Sequence, residues 1–118
     1  MANIYDKAHE FAKELKNLPE VIEYRNASKK INEDDKHRKM VEDFRKIQIQ
    51  AYTEQMQNNG NISDTTKEKF KNIGSIVMMN PEIAQYLQAE AKFAVIWDDL
   101  LKILNDAIGV EQIVPDSK

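Results

Sequence analysis

From Pro81 to about Ile108 the chain runs without another proline or any glycine, and its apolar residues recur at helical spacing on more than one side. Ile83, Leu87, Ala91, Ala94, Leu101, Leu104 and Ile108 mark one row. Tyr86, Phe93, Trp97 and Leu100 mark a second, and Val95, Ile96 and Ile103 widen it. A helix at a protein surface needs a single apolar stripe, about 100° wide or somewhat more. This segment exceeds that and requires packing on two sides. A chain of 118 residues holds one domain and one core. The second side is therefore expected to be covered by another subunit.

The rest of the chain divides at its helix breakers. Ile4, Ala8, Phe11, Leu15 and Leu18 step by four and three along one stripe, opened by the N-cap residue Asn3 and stopped by Pro19. Pro19 and Glu20 suit the opening of a second, short helix with Val21, Tyr24, Ser28 and Ile31 on its inner face. A third helix is expected over 34–58, with Met40, Phe44, Ile47 and Ala51 facing inward and Gly60 available for a left-handed cap. A fourth begins at Ser63 or Asp64 and turns Thr66, Phe70, Ile73 and Val77 inward. Gly74 lies inside it, where glycine costs about 1 kcal/mol relative to alanine, so close helix packing is expected there. Asn80-Pro81-Glu82 then opens the last helix, and Gly109 closes it. Pro-Glu-aliphatic-x-x-Tyr occurs twice, at Pro19 and at Pro81; a common helix opening accounts for both.

The expected fold is all-α: about five helices in a compact helical array, two of them long (34–58 and 81–108), oligomerising through the last helix. Residues 3–108 form a single helical domain, and 109–118 a flexible C-terminal tail. Only 3 Gly and 3 Pro are present, too few turn formers for an all-β sandwich. The absence of Cys removes disulfides, thiolate nucleophiles and cysteine-held metal or iron–sulfur centres. No apolar run is long enough to span a membrane. Residues Met1–Asp6 lack the basic and apolar regions of a signal peptide, so the expected compartment is the cytoplasm.

Nothing in the sequence assembles a catalytic constellation. Ser28, Ser63 and Ser75 have no spaced His and acid partners. Asp98 and Asp99 diverge by about 100° around a helix and do not form a dyad. Three isolated glycines do not build a phosphate loop. His37 has Glu33 and Asp34 one turn away, but a metal site needs three or four convergent ligands. No catalytic, cofactor-binding or metal-binding residue is assigned, and no cofactor is expected. The net charge is −3. Its uneven spread, with a basic excess over 25–46, makes a weak RNA-binding module the rival reading. That reading requires Arg25, Lys29, Lys30, Arg38, Lys39 and Arg45 to form one continuous patch. The candidate interface comprises Met78, Met79, Phe93, Ile96, Trp97, Leu100, Ile103 and Leu104.

The segment Lys39-Met40-Val41-Glu42-Asp43-Phe44-Arg45-Lys46-Ile47-Gln48 resembles the central helix of the YlbF/YmcA family, in particular its YheA-like branch, as do Gln55 and Gly60 before a capped helix. Ile83-Ala84-Gln85-Tyr86-Leu87-Gln88-Ala89-Glu90 is similar to the start of that family's last long helix. With the Leu18-Pro19-Glu20 start, the resemblance covers roughly residues 3–108. It implies a cytoplasmic bacterial protein that associates with itself, as a dimer first, or with other regulatory proteins. YlbF and YmcA regulate competence, sporulation and biofilm formation. They act in a complex that influences mRNA maturation by a membrane-bound endoribonuclease. Members of that complex are associated with iron–sulfur clusters held by cysteines, which this chain does not possess. The resemblance thus implies a non-enzymatic protein–protein interaction protein of regulatory or adaptor type, linked to developmental regulation or mRNA maturation. Membrane and nucleic acid are not expected partners.

Overall fold

The computed structural model describes residues 3–111 and Ile113. Five helices follow one another: α1 (Ile4–Lys16), α2 (Pro19–Glu33), α3 (Asp35–Gln57), α4 (Asp64–Met78) and α5 (Pro81–Ile108). The all-α class, the two long helices and the order are as expected; of the tail expected over 109–118, Gln112 and 114–118 lie outside the described residues.

Each boundary has a local cause. Asn3 and Asp6 form a reciprocal capping box, with the Asp6 backbone N–H donating to Asn3 Oδ1 at 2.9 Å. Pro19 opens α2, where its missing N–H leaves no bond unmade. Asp34 caps α3 by accepting from the N–H groups of Lys36 and His37 at 3.0 and 3.2 Å. Those bonds, His37's first, hold its carboxyl below the usual range. After α3, Asn59 (φ +54°) and Gly60 (φ +90°) turn left-handed, and the Gly60 N–H reaches back to the Gln55 carbonyl at 2.8 Å. Asn80 caps α5 through Oδ1, which accepts from Glu82 and Ile83. Gly109 (φ +70°) ends it.

The core lies where the end of α2, the start of α3, the end of α4 and the start of α5 meet. Ile31, Val41, Val77 and Ile83 pack there, flanked by Met40, Phe44, Ile73, Tyr86 and Leu87. Val77 and Ile83 are wholly excluded from solvent. Around this small core the array is flat. It measures 58 × 41 × 18 Å, with a radius of gyration of 18.4 Å. A globular chain of this length has a radius near 13 Å. Its thin dimension admits about two layers of helix, each roughly 10 Å across. The accessible surface is 9629 Å², against about 6,600 Å² for a folded monomer of this mass.

Two expectations about packing change. Gly74 was expected to mark a close helix approach, yet a Cβ built there meets no atom within 4 Å. Phe70 was expected inside. Its ring reaches Phe44 at 5.6 Å between centroids, but its other side opens to solvent over the α3–α4 groove.

Candidate interaction surface

The 28 residues of α5 span about 42 Å at 1.5 Å each. Its first half is embedded. Ile83 and Ala89 are buried, and α2 lies alongside. An aromatic ladder continues along the α2–α5 seam: Tyr24 to Tyr86 at 5.9 Å, Tyr24 to Phe93 at 5.5 Å, and Phe93 to Trp97 at 5.9 Å. Beyond Phe93 the neighbour changes. Ile96 and Leu100 meet Phe11, Leu15 and Leu18 around an open groove of about 140 Å³. Leu104 joins Ile4, Ala8 and Phe11 around another of about 360 Å³. The helix α1 buries no residue completely. It therefore covers one side of α5 only loosely.

A row on the next side of α5 stays in water. Trp97 is 43% exposed, Leu101 39%, Leu104 56% and Ile108 68%. Steps of four, three and four keep these side chains within an arc of about 60°. Such a contiguous apolar strip makes this row the candidate interaction surface.

The candidate residues thus separate into groups. Phe93, Ile96 and Leu100 are half-buried against α2 and α1, while Trp97 and Leu104 belong to the exposed row. Ile103 is exposed but points about 120° away from Trp97, six residues on at about 100° each. Met78 and Met79, also exposed, sit at the α4–α5 corner, at the opposite end of α5 from Leu104. They do not extend the same patch.

The strongest polar cluster was not singled out from sequence. Arg45 of α3 ion-pairs with Glu90 of α5 and donates to the Tyr86 hydroxyl at 3.1 Å. Tyr24 of α2 donates to the same carboxylate at 3.3 Å. Burial, reinforced by Tyr86 and Glu90, pushes the Tyr24 phenol up to about 12. The hydrogen bond that Arg45 donates to the Glu90 carboxylate raises the Arg45 pKa above its ordinary value. A phenol and a guanidinium so held are fixed near neutrality as donors, and they tie three helices together. The tyrosines are those of the two Pro-Glu-aliphatic-x-x-Tyr segments, a recurrence that was the only sequence signal for this cluster.

The same arrangement divides the basic segment. Arg45 turns inward to Glu90, Arg38 pairs with Asp35 at 2.8 Å, and Lys39 pairs with Asp43 at 3.0 Å. Half of the six basic residues needed for a continuous patch are thereby neutralised. His37 also has a structural post. Its Nε2 accepts from the Asn80 amide at 2.9 Å, and its Nδ1 lies 3.0 Å from Glu82 Oε2. It joins the start of α3 to the start of α5. Among the described residues no cluster of three His, Cys, Asp or Glu side chains is placed to hold a metal ion, and no helix is long and apolar enough to cross a membrane.

Residues 4–109 match the family described as "Control of competence regulator ComK, YlbF/YmcA". The chain is 52% identical over 109 residues to a UPF0342 protein of Clostridium tetani (strain Massachusetts / E88), covering 92% of this chain and 93% of that one. It is 49% identical to a UPF0342 protein of Clostridium novyi (strain NT), covering 90% and 92%. Among solved structures it is similar to a protein of unknown function (DUF964) from Bacillus stearothermophilus. That pair has a TM-score of 0.69 and 14% identity over 90% of this chain and 92% of the other. It is also similar in fold to Bacillus subtilis RicA, solved in complex with RicF, at a TM-score of 0.56 and 22% identity over 90% and 93%. The chain belongs to the YlbF/YmcA family of regulators.

Proposed function

We propose that this protein is a non-enzymatic, cytoplasmic adaptor that works by associating with copies of itself, as a dimer first, and with other regulatory proteins. The observation that carries this reading is the exposed row Trp97, Leu101, Leu104 and Ile108, projecting beyond the core on the second half of α5. Burying a large apolar side chain contributes roughly 1.5–3 kcal/mol. The four residues are 39–68% exposed, so each contributes roughly half of that, and together they offset part of the cost of association. The flat shape and large accessible area support the same reading, because a stable interface removes about 800 Å² from each partner. A fold relative, RicA, was solved in complex with another protein. By analogy with the family, the role extends to bacterial developmental regulation or mRNA maturation.

Sedimentation of the intact protein at tens of micromolar tests the core of the proposal. A defined oligomer is expected. Trp97→Asp with Leu101→Asp should yield monomers, whereas Lys29→Glu should leave the assembly intact. A stable monomer of the unaltered chain would remove the proposal's basis. Affinity capture from the native host, with the intact chain and the double variant side by side, tests the wider role. Regulatory or RNA-maturation proteins recovered by the intact chain and lost with the variant are the expected outcome.

A further inference from the structure

The open groove between α3 and α4 encloses about 240 Å³ and is lined by Ala51, Ile62, Thr66, Lys67, Phe70 and Lys71. Thr66 is the one uncharged polar side chain in that lining, and its hydroxyl is committed to Glu54, Ser63 and Gln50. Among the described residues no buried side-chain N or O lacks a hydrogen-bond partner. The walls therefore hold no unmet donor or acceptor, and the polar contacts left for an incoming group are at the two lysines. Lys67 and Lys71 stand one turn apart on α4, a spacing that sets Cβ atoms about 5–6 Å from each other. Both are exposed. Asp64 and Glu68 precede them by one turn, yet among the described residues neither lysine takes part in an ion pair. The α1–α5 groove differs in this respect, because its single lysine, Lys7, already faces Glu10 at 3.8 Å.

We propose that the α3–α4 groove binds a free medium-chain fatty acid, with the alkyl chain lying along Ala51, Ile62 and Phe70 and the carboxylate held by Lys67 and Lys71. An apolar wall beside two unpaired cations selects a molecule that is apolar along its length and anionic at one end. The space sets the length of the chain. An apolar cavity of about 150 Å³ takes a benzene ring, so on that scale 240 Å³ takes a chain of about eight to ten carbons. A helix is about 10 Å across with its side chains and does not enter a space of this volume; an extended alkyl chain does. The two ammonium groups reach one carboxylate from the same flank of α4, each with three donors. Because the groove is open, the charged head stays in contact with water while the chain leaves it. Binding then draws on apolar burial without the cost of desolvating a charge.

Calorimetric titration of the intact protein with sodium octanoate, decanoate and dodecanoate, each below its micelle concentration, tests this. One molecule per chain is expected. Affinity should rise about fourfold for each added methylene, the factor that corresponds to burying one methylene, and level off between decanoate and dodecanoate as the groove fills. Decanol has the same chain without the charge, and decyltrimethylammonium carries the opposite charge; both should bind about tenfold more weakly or worse. Lys67→Gln with Lys71→Gln should bring decanoate down to the affinity of decanol and leave decanol unchanged. Ala51→Leu, which fills the groove from the α3 side, should weaken the whole series. The lysines are on the surface, so their double variant decides the matter even if Ala51→Leu does not fold. Equal affinity for decanoate and decanol, undiminished decanoate binding in the lysine variant, or several molecules per chain with affinity still climbing at dodecanoate overturns the proposal. So does the lack of a saturable decanoate isotherm, including the case in which the protein instead co-sediments with phosphatidylglycerol vesicles or binds an acidic helical peptide. Neither variant touches Trp97, Leu101, Leu104 or Ile108, so sedimentation tests self-association separately.

Discussion

Among the described residues Thr66 is the one buried polar residue, 1% exposed, and it can be changed almost without altering volume. Its hydroxyl donates to the Glu54 carboxylate and accepts from Ser63 Oγ at 2.9 Å and Gln50 Nε2 at 3.3 Å. Thr66→Val keeps the branched shape and removes all three bonds. Ser63 and Gln50 are exposed and can turn to water, so the cost is that of one buried hydroxyl's lost bonds, about 1–3 kcal/mol. For a chain of this size that is a melting point lower by about 4–12 °C. The same change carries a signature in pH. The bonds from Thr66 and Ser63 draw the Glu54 carboxyl down to about 2 from its ordinary 4.5. A depressed carboxyl contributes stability above its unfolded pKa, lost as pH falls through the folded one. The intact protein should therefore lose this contribution between about pH 4.5 and 2. In Thr66→Val the largest cause of the shift is gone, so the gap between the two proteins should narrow on acidification. Urea denaturation followed by circular dichroism at pH 7, 5 and 3 measures both effects. Thr66→Ser, which retains the hydroxyl, should preserve the pH dependence. A Thr66→Val protein as stable as the parent at pH 7, or a gap that stays constant down to pH 3, would show that the hydroxyl is not what holds the α3–α4 turn.

Three other outcomes follow from the packing. Ile83→Ala, at a fully buried position where α2, α3, α4 and α5 converge, should lower the unfolding free energy by about 2–5 kcal/mol, read by denaturant titration. Gly74→Ala should instead raise it by about 1 kcal/mol, because the added Cβ meets nothing within 4 Å; a melting curve shifted downward would contradict this. The Tyr24 phenol, pushed up to about 12 by burial and its two neighbours, contributes stability below about pH 10 that is lost as pH rises through 12. In an ultraviolet titration Tyr24→Phe should therefore remove the last phenolate step, and an unchanged curve would refute the assignment.

Most of what the chain does locally is written in its breakers. Pro19, Gly60, Asn80-Pro81 and Gly109 mark their boundaries by constraints of the residue itself, a fixed φ, a left-handed φ or a side-chain cap, so helix order and type were legible. The candidate interface rests in the sequence only on an excess of apolar width. Periodicity counts how many faces are greasy; it does not say which neighbour takes which face. Hence Trp97 and Ile103 entered the same candidate set although they point apart, and Met78 joined residues at the far end of α5. The Tyr24–Arg45–Tyr86–Glu90 cluster was hidden for another reason. Its hydrogen bonds between helices join residues 41 to 66 apart, and no local pattern announces a contact of that range. Gly74 misled because a costly residue invites a compensating explanation, and the helix there simply carries the cost.

The thinness of the array bears on how such a chain can change over time. A thick globule ties each position to many neighbours, so a substitution must suit them all. Here few side chains are enclosed on every side, chiefly Ile31, Val41, Thr66, Val77 and Ile83, with the small Ala27 and Ala89. Most of the other described residues have solvent on one flank and answer to fewer neighbours. The architecture is thus held by a handful of enclosed positions and by its punctuation. The broad faces between them are open to being rewritten, and with them the choice of which other protein the slab will accept.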